Sequence, residues 1–367
     1  MKLTIFSNFL NHHQIPLCEQ FYARLGKDFC FVATECTDPE RLRLGYPDVN
    51  ETVPYCLPAY LSEENYQKAI KLAEESEIVI HGSAPQLFVD LRMRENKLTF
   101  RYLERIFKKP YYYLMPGFYR LYRKYQDKEL YYLCCGGYVK KDLMRIRQRQ
   151  DGYYRWGYFP RCQESPQKQS REIVRLLWCG RMISWKHPEL ALKIAGQLKK
   201  EGYAFQLVMI GTGKLEESIR NDISREKLEN HVKMTGALPA EEVRGWMQEA
   251  DIFLFTSDQT EGWGAVLNEA MNSRCAVVAD ERIGAVPYLI QDQYNGLVYR
   301  SWQELMTAVK RLMQDYALRK KLGDRAFSTI KETWNAETAA IRFLALAEAL
   351  QKHTAEPEFL TGPCSKA

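Results

Sequence analysis

The chain has 367 residues, of which 46% are hydrophobic and 27% charged, with a net charge of +6. That is globular material of two-domain length, and it excludes large-scale disorder and a small disulfide-stapled domain. No apolar run reaches the roughly eighteen residues of a membrane span, and Met1-Lys2 leads straight into the strand-like Leu3-Thr4-Ile5-Phe6-Ser7 with no leader, so a cytoplasmic protein is expected.

The first half alternates short apolar runs with polar helical stretches. Strands are predicted at 3–8, 29–34, 77–82, 111–115 and 130–135, and helices at 16–25, 62–75 and 98–108. This is the rhythm of a doubly wound parallel sheet, whose functional groups gather in the loops after the strands. Asn11, His12 and His13 follow the first strand, His81-Gly82 a middle one, and Met115-Pro116-Gly117-Phe118 a later one. Histidine titrates near neutrality and suits an acceptor contact or a departing phosphate, which makes His13 the leading candidate there. His81 reads equally well as a satisfied buried histidine.

From Arg92 to Lys128 eleven basic residues stand against three acidic ones, a local +8 that leaves the rest of the chain at −2. Aromatics interleave with them. Such a stretch suits an anionic membrane surface, a lipid diphosphate or nucleic acid, or it is a solvated face over a tyrosine-rich core. The ten cysteines are scattered, and Cys30, Cys134, Cys135, Cys179 and Cys275 sit in apolar runs, so they read as buried thiols; the adjacent pair Cys134-Cys135 is not spaced for zinc.

Tyr158-Phe159-Pro160 and the polar residues 162–170 break the pattern and mark a linker. The domains are accordingly placed at 1–163, completed by 336–352, and at 171–335, with 353–367 as a loosely ordered tail. In the second series a strand at 173–179 ends in Gly180-Arg181, with Lys186 five residues on and a helix at 189–200. An Arg and a Lys in one loop can clamp a diphosphate from two directions. A strand at 205–210 leads to Gly211-Thr212-Gly213, which lacks the third glycine of a dinucleotide fingerprint and disfavours a nicotinamide enzyme. Strands at 232–236, before Ala237-Leu238-Pro239, and at 251–257, 275–280 and 296–299 follow. The helix predicted at 336–351 carries Ala340, Phe343, Leu344, Ala347 and Leu350 on one face.

The most informative stretch is Glu261-Gly262-Trp263-Gly264-Ala265-Val266, continuing to Glu269-Ala270. Glycines after a strand open a helix near Gly264, whose free amides at Trp263, Gly264 and Ala265 can receive a phosphate. The helix advances about 7 Å to Glu269, so two carboxylates can bracket a ligand with a diphosphate in its middle and hydroxyls at each end, the layout of a nucleotide sugar. The plainer reading is two solvated charges on a helix.

This stretch resembles the Glu-x-Phe-Gly-x-x-x-x-Glu-Ala signature of glycosyltransferase family 4, with Trp263 in place of Phe, and Gly180-Arg181 to Lys186 resembles the same family's basic loop, with His187 where glycine is frequent. The resemblance implies two facing Rossmann-like domains of the type B glycosyltransferase fold, an active site in the cleft between them, and a terminal helix crossing back to the first domain. It implies transfer of a sugar, with retention, from a UDP- or GDP-sugar to a glycan or polyprenyl-diphosphate-linked acceptor. The donor would be held by Arg181, Lys186, Gly211, Leu238, Glu261, Gly262, Trp263, Gly264, Ala265, Val266 and Glu269, with Glu261, Arg181, Lys186 and His13 carrying catalysis. No metal or other cofactor is expected, since no Asp-x-Asp occurs and the cationic clamp can neutralise the leaving group.

The first domain departs from the family: its usual Gly-Gly loop is absent, and Leu114-Met115-Pro116-Gly117 stands where His-Gly is common. Residues 96–105 and 156–160 are nevertheless similar to segments of bacterial surface-polysaccharide transferases. They suggest work in polysaccharide biosynthesis as a peripheral protein at the inner face of the cell membrane. A nucleotide-sugar epimerase and a non-catalytic glycan-binding protein share the architecture. A nucleic-acid binder would leave the diphosphate residues without a purpose, so no nucleic-acid partner is expected.

Overall fold

The computed structural model describes residues 1–39, 42, 48–108, 112, 114–146 and 151–367. The chain folds into two units, Met1–Arg161 with Thr333–Ala367, and Cys162–Glu332. Each is built on one parallel sheet with helices between its strands, as the alternating pattern requires.

In the first unit the strands are β1 (Leu3–Ser7), β2 (Phe29–Ala33), β3 (Cys56–Pro58), β4 (Ile78–His81), β5 (Thr99–Leu103), β6 (Leu130–Cys135) and β7 (Tyr153–Trp156), in the order β3-β2-β1-β4-β5-β6-β7. The order reverses between β1 and β4, so the loop holding Asn11, His12 and His13 and the turn after His81 flank one crevice. The helix Ala336–Gln351 starts at Asn335, whose side chain accepts from the Thr338 amide at 2.8 Å. It packs on the helix Ile15–Leu25, and Phe343 meets Phe21, Phe100 and Trp156 at ring separations of 5.6, 4.9 and 5.8 Å. The expected return of the chain to the first domain is thus seen.

Three sequence expectations for this unit fail. The segment predicted as a helix at 98–108 forms β5, paired on both sides by β4 and β6. The Glu104–Lys108 spacing looks helical, and their ion pair forms at 2.7 Å, but on a loop. Of the strand predicted at 111–115, Tyr111 and Tyr113 lie outside the described residues, and Met115 is instead the cap of the helix Pro116–Arg123, begun by a proline at its first position. The tail at 353–367 is not loose: Lys366 pairs antiparallel with Tyr154, Cys364 and Ser365 are buried, and Tyr154 donates to Glu356 at 2.9 Å. An open edge at β7 leaves backbone donors and acceptors unpaired, and the tail satisfies them.

Much of the basic stretch is used internally. Arg92 is fully buried and donates to Thr99 Oγ1 and to the carbonyls of Ala73, Ser76, Glu77 and Leu98. Arg101 lies beneath the Tyr122 ring and donates to Gln86, Arg105 pairs with buried Asp142 at 3.4 Å, and Lys124 pairs with Asp90 at 3.1 Å. Lys109 lies outside the described residues. All ten cysteines are free; Cys134, Cys135 and Cys275 are buried as expected, Cys30 and Cys179 are only partly buried, and Cys36 is exposed.

The second unit orders its strands β8 (Val174–Cys179), β9 (Phe205–Ile210), β10 (Val232–Gly236), β11 (Ile252–Phe255), β12 (Ala276–Asp280) and β13 (Leu297–Tyr299) as β10-β9-β8-β11-β12-β13. Its core joins Val174, Leu176, Ile194, Leu207, Ile252 and Val278. The order reverses between β8 and β11, whose register sets Leu176 against Ile252 and Leu177 against Phe253. The loops leaving these two strands are therefore neighbours.

Arg92 offers a test of the first unit. Arg92→Met leaves four carbonyls without their donor, and we expect a loss of about 3–5 kcal/mol in a urea titration, with Arg92→Lys recovering part of it.

Candidate active site

The loops after β8, β9 and β10 are stitched together by main chain. Gly180 N donates to Ile210 O at 3.0 Å, Met182 N to Thr212 O at 2.8 Å, and Gly211 N to Gly236 O at 2.8 Å. Arg181 projects from this edge, exposed, with its guanidinium 5.9 Å from the Trp185 ring. Lys186 turns inward, and its side chain is only 13% exposed. The turn is pinned by Thr256 just beyond β11, which takes a hydrogen bond from Trp178 Nε1 at 2.9 Å and donates to Lys186 O at 2.8 Å.

Lys186 Nζ donates to Glu261 Oε2, and Ser257 Oγ reaches the same oxygen at 3.0 Å. Glu261 is 8% exposed, so this carboxylate–ammonium pair is mostly screened from water and holds both groups in one geometry. The loop after β12 supports it from behind: Gly284 N donates to Glu261 O at 3.1 Å and Ala285 N to Trp263 O at 3.3 Å. A Cβ at Gly284 would lie 1.6 Å from Gly262 O, so only glycine allows this approach. Gly264, at φ +87°, turns the chain beside the Phe255 ring, which a Cβ would meet at 2.3 Å.

The helix after the glycines starts two residues later than expected and is short, Val266–Asn272. Among the described residues, the amides of Gly264, Ala265 and Val266 have no hydrogen-bond acceptor. Trp263 is fully buried and donates through Nε1 to Asn268 at 2.9 Å, so it fills the core where a phenylalanine would. Burial pushes the Glu269 carboxyl up to about 7, opposed by the positive charge of Arg244. Arg244 is anchored at 3.0 Å to Asn272 Oδ1. Leu238 is half-buried just after β10, ahead of the helix Ala240–Glu249.

In the second unit the structure therefore gathers Lys186, Glu261, Gly262, Trp263, Gly264, Ala265 and Val266 around the switch between β8 and β11, with Arg181 and Gly211 on the adjoining edge. Such a set can neutralise an anion with a fixed ammonium, a guanidinium and free amides. Sequence reasoning missed Thr256, Ser257 and Arg244. Ser257 stands four residues before Glu261 and was findable; Arg244 lies on another helix and has no local signal.

In the first unit, Asn11 Oδ1 accepts the His13 amide at 3.0 Å, the rings of His12 and His13 are 3.6 Å apart, and His13 is 5.6 Å from the Tyr158 ring. His13 borders a small apolar pocket with Ile5, Leu17 and Trp156. His81 is buried, its Nε2 is 3.1 Å from Pro85 O, and burial pulls its pKa down to about 4. That makes it a neutral, satisfied histidine rather than a group facing a ligand.

Residues 163–329 match the family model described as glycosyl transferases group 1. The amylovoran biosynthesis glycosyltransferase AmsK of Erwinia amylovora is 34% identical over 128 residues, 34% of this chain and 31% of that protein. The putative colanic acid biosynthesis glycosyltransferase WcaL of Escherichia coli is 30% identical over 136 residues, 36% of this chain and 33% of that one. The chain thus spans about a third of the length of these relatives. Among solved structures, HepE of Anabaena in complex with UDP aligns over 96% of this chain and 100% of its own, with a TM-score of 0.68 at 16% identity. A glycosyltransferase from Rickettsia africae aligns over the same shares with a TM-score of 0.67 at 15% identity. Residues 163–329 are similar to the glycosyl transferases group 1 family, and the two parallel-sheet α/β units share the type B glycosyltransferase fold of HepE.

Proposed function

We propose that the protein is a retaining glycosyltransferase of family 4 type, moving a sugar from a nucleotide diphosphate sugar to a glycan or polyprenyl-diphosphate-linked acceptor in polysaccharide biosynthesis. The observation that carries this reading is the Lys186–Glu261 pair, held between the loops after β8 and β11 beside three free amides. The names of AmsK and WcaL support the polysaccharide setting, and HepE structures with UDP and UDP-glucose favour a UDP-sugar over a GDP-sugar.

In this reading Glu269 accepts from the ribose hydroxyls, Gly211 and Leu238 lie along the nucleoside, and the amides of Gly264, Ala265 and Val266 with Arg181 and Lys186 receive the diphosphate. The bond from the anomeric carbon to the diphosphate oxygen breaks, and its electron pair stays on that oxygen. Arg181 and Lys186 stabilise the charge as it develops. The acceptor hydroxyl adds to the face the diphosphate leaves and gives its proton to the departing phosphate oxygen, which retains configuration. Glu261 orients Lys186 and the donor sugar, and His13 serves the acceptor or the leaving phosphate. These residues can do this without a metal. Among the described residues no helix is long and apolar enough to cross a membrane; the acceptor is reached at an anionic membrane surface, on the cytoplasmic side.

A thermal-shift panel of uridine, guanosine and adenosine diphosphates and their sugar conjugates, with and without chelator, tests the reading. We expect a chelator-insensitive rise in melting temperature with UDP or GDP, since a ligand that binds only the folded state stabilises it. No shift with any of them would overturn it.

Two variants separate binding from chemistry. Glu269→Ala is expected to weaken nucleotide binding about 10- to 100-fold. Arg181→Ala, at an exposed position, is expected to lower kcat by roughly 10², with a smaller loss in nucleotide Kd. Equal losses in both constants would contradict the division.

The raised Glu269 pKa gives a pH signature. Only the carboxylate accepts fully from two hydroxyls, so nucleotide affinity should fall as pH drops through about 7, by up to about tenfold per unit. Glu269→Gln should bind weakly and lose that step in calorimetric titrations.

A further inference from the structure

We propose that His187 is a positioning residue for the diphosphate site, its imidazolium stapling the loop that carries Lys186 to the loop that carries Glu261. The inference rests on the donor-site reading above and goes beyond it, since His187 touches no donor atom in that reading.

His187 follows Lys186 directly and caps the helix Pro188–Lys200 in the left-handed region, at φ 50° and ψ 54°. Glycine adopts that conformation freely; a histidine costs about 1 kcal/mol there. Two contacts offset the cost. His187 Nδ1 is 2.7 Å from Glu189 Oε1, and Nε2 is 3.3 Å from Asp258 Oδ2. A neutral imidazole has one donor, so both carboxylates are satisfied only by the protonated ring.

Asp258 is itself fixed within the glutamate loop. Its amide donates to Trp185 O at 3.0 Å, its Oδ1 accepts the Thr260 amide at 2.7 Å, and its carbonyl accepts the Glu261 amide at 3.0 Å. The ring thus links the residue beside Lys186 to the residue that holds the Glu261 backbone. Glu189 and Asp258 are the charged groups that act on the ring, and both raise its pKa, while Asp258 also helps hold the Arg282 guanidinium charged. A histidine whose folded pKa is raised contributes stability that is complete below the ordinary histidine range of about 6.5. That contribution is lost as pH rises through the folded value.

The test compares the wild type with His187→Gly, which suits the backbone and removes the ring, between pH 5.5 and 9. Two quantities are read: the unfolding midpoint without nucleotide, and the Kd for UDP and for GDP. We expect the stability difference between the two proteins to be largest at low pH and to shrink as pH rises, with common groups such as Glu269 cancelling. We expect nucleotide affinity about two- to fivefold weaker in the variant at pH 6, the gap closing at high pH. Asp258→Asn should reproduce this loss and add little to it in the double variant. Parallel pH curves for the two proteins overturn the staple, and a staple seen in stability with unchanged Kd overturns its positioning role. A wild type that binds neither nucleotide overturns the donor-site reading instead, while the ligand-free pH step still decides the staple.

Discussion

A lysine and a glutamate 75 residues apart share a hydrogen bond that is mostly out of water, and the second unit is arranged to hold it. Removing two charges from solvent is costly unless each meets its partner in good geometry and the remaining polar atoms are satisfied. Ser257 helps satisfy the carboxylate, Thr256 fixes the carbonyl of the lysine, and the Gly284 amide fixes the carbonyl of the glutamate. The Ser257 contact is local, whereas Thr256 reaches the lysine because β8 and β11 lie side by side where the strand order reverses, and Gly284 reaches the glutamate because β12 flanks β11.

The same constraint explains why small residues cluster there. Five loops converge on the carboxyl edge of the sheet, and main chain meets main chain between Gly180 and Ile210, Gly211 and Gly236, and Glu261 and Gly284. A site made of backbone donors is rigid, because its groups cannot rotate away as side chains do. Rigid, preoriented donors are what stabilise charge that develops during a reaction. The cations Arg181 and Lys186 differ in exposure: Arg181 lies at the rim beside the Trp185 ring, and Lys186 is mostly buried against Glu261.

The first unit uses its charge differently. Arg92 spends all its donors on the turns around β4 and β5, and Arg101, Arg105 and Lys124 are engaged by neighbouring side chains. A dense basic and aromatic stretch is therefore partly an internal scaffold, in which planar cations lie against tyrosine rings. His81 shows the same economy, since a histidine at the end of a buried strand is kept neutral by its surroundings and bonded to the Pro85 carbonyl.

Most strands were legible in the sequence because a strand buried on both faces must be a short, continuous apolar run, and 130–135 and 205–210 were read to the residue, as was the edge strand 232–236 despite its exposed Lys233. Failures came where local signals conflict. Thr99-Phe100-Arg101-Tyr102 carries an arginine, and the Glu104–Lys108 spacing follows, so charge periodicity outweighed β-branched and aromatic content in the reading of 98–108. β3 and β7 went unseen because each is only three or four residues long and is specified by pairing with a neighbour. The motif from Glu261 to Glu269 was visible because glycine, carboxylate and helix start lie within one turn and a loop of chain. What only the tertiary structure decided is the contacts that complete it: Lys186, expected in the site, meets Glu261 directly, and Arg244 and Gly284 reach the motif through strand order and close packing. Those are properties of where chain segments lie in space, and no spacing along the chain encodes them.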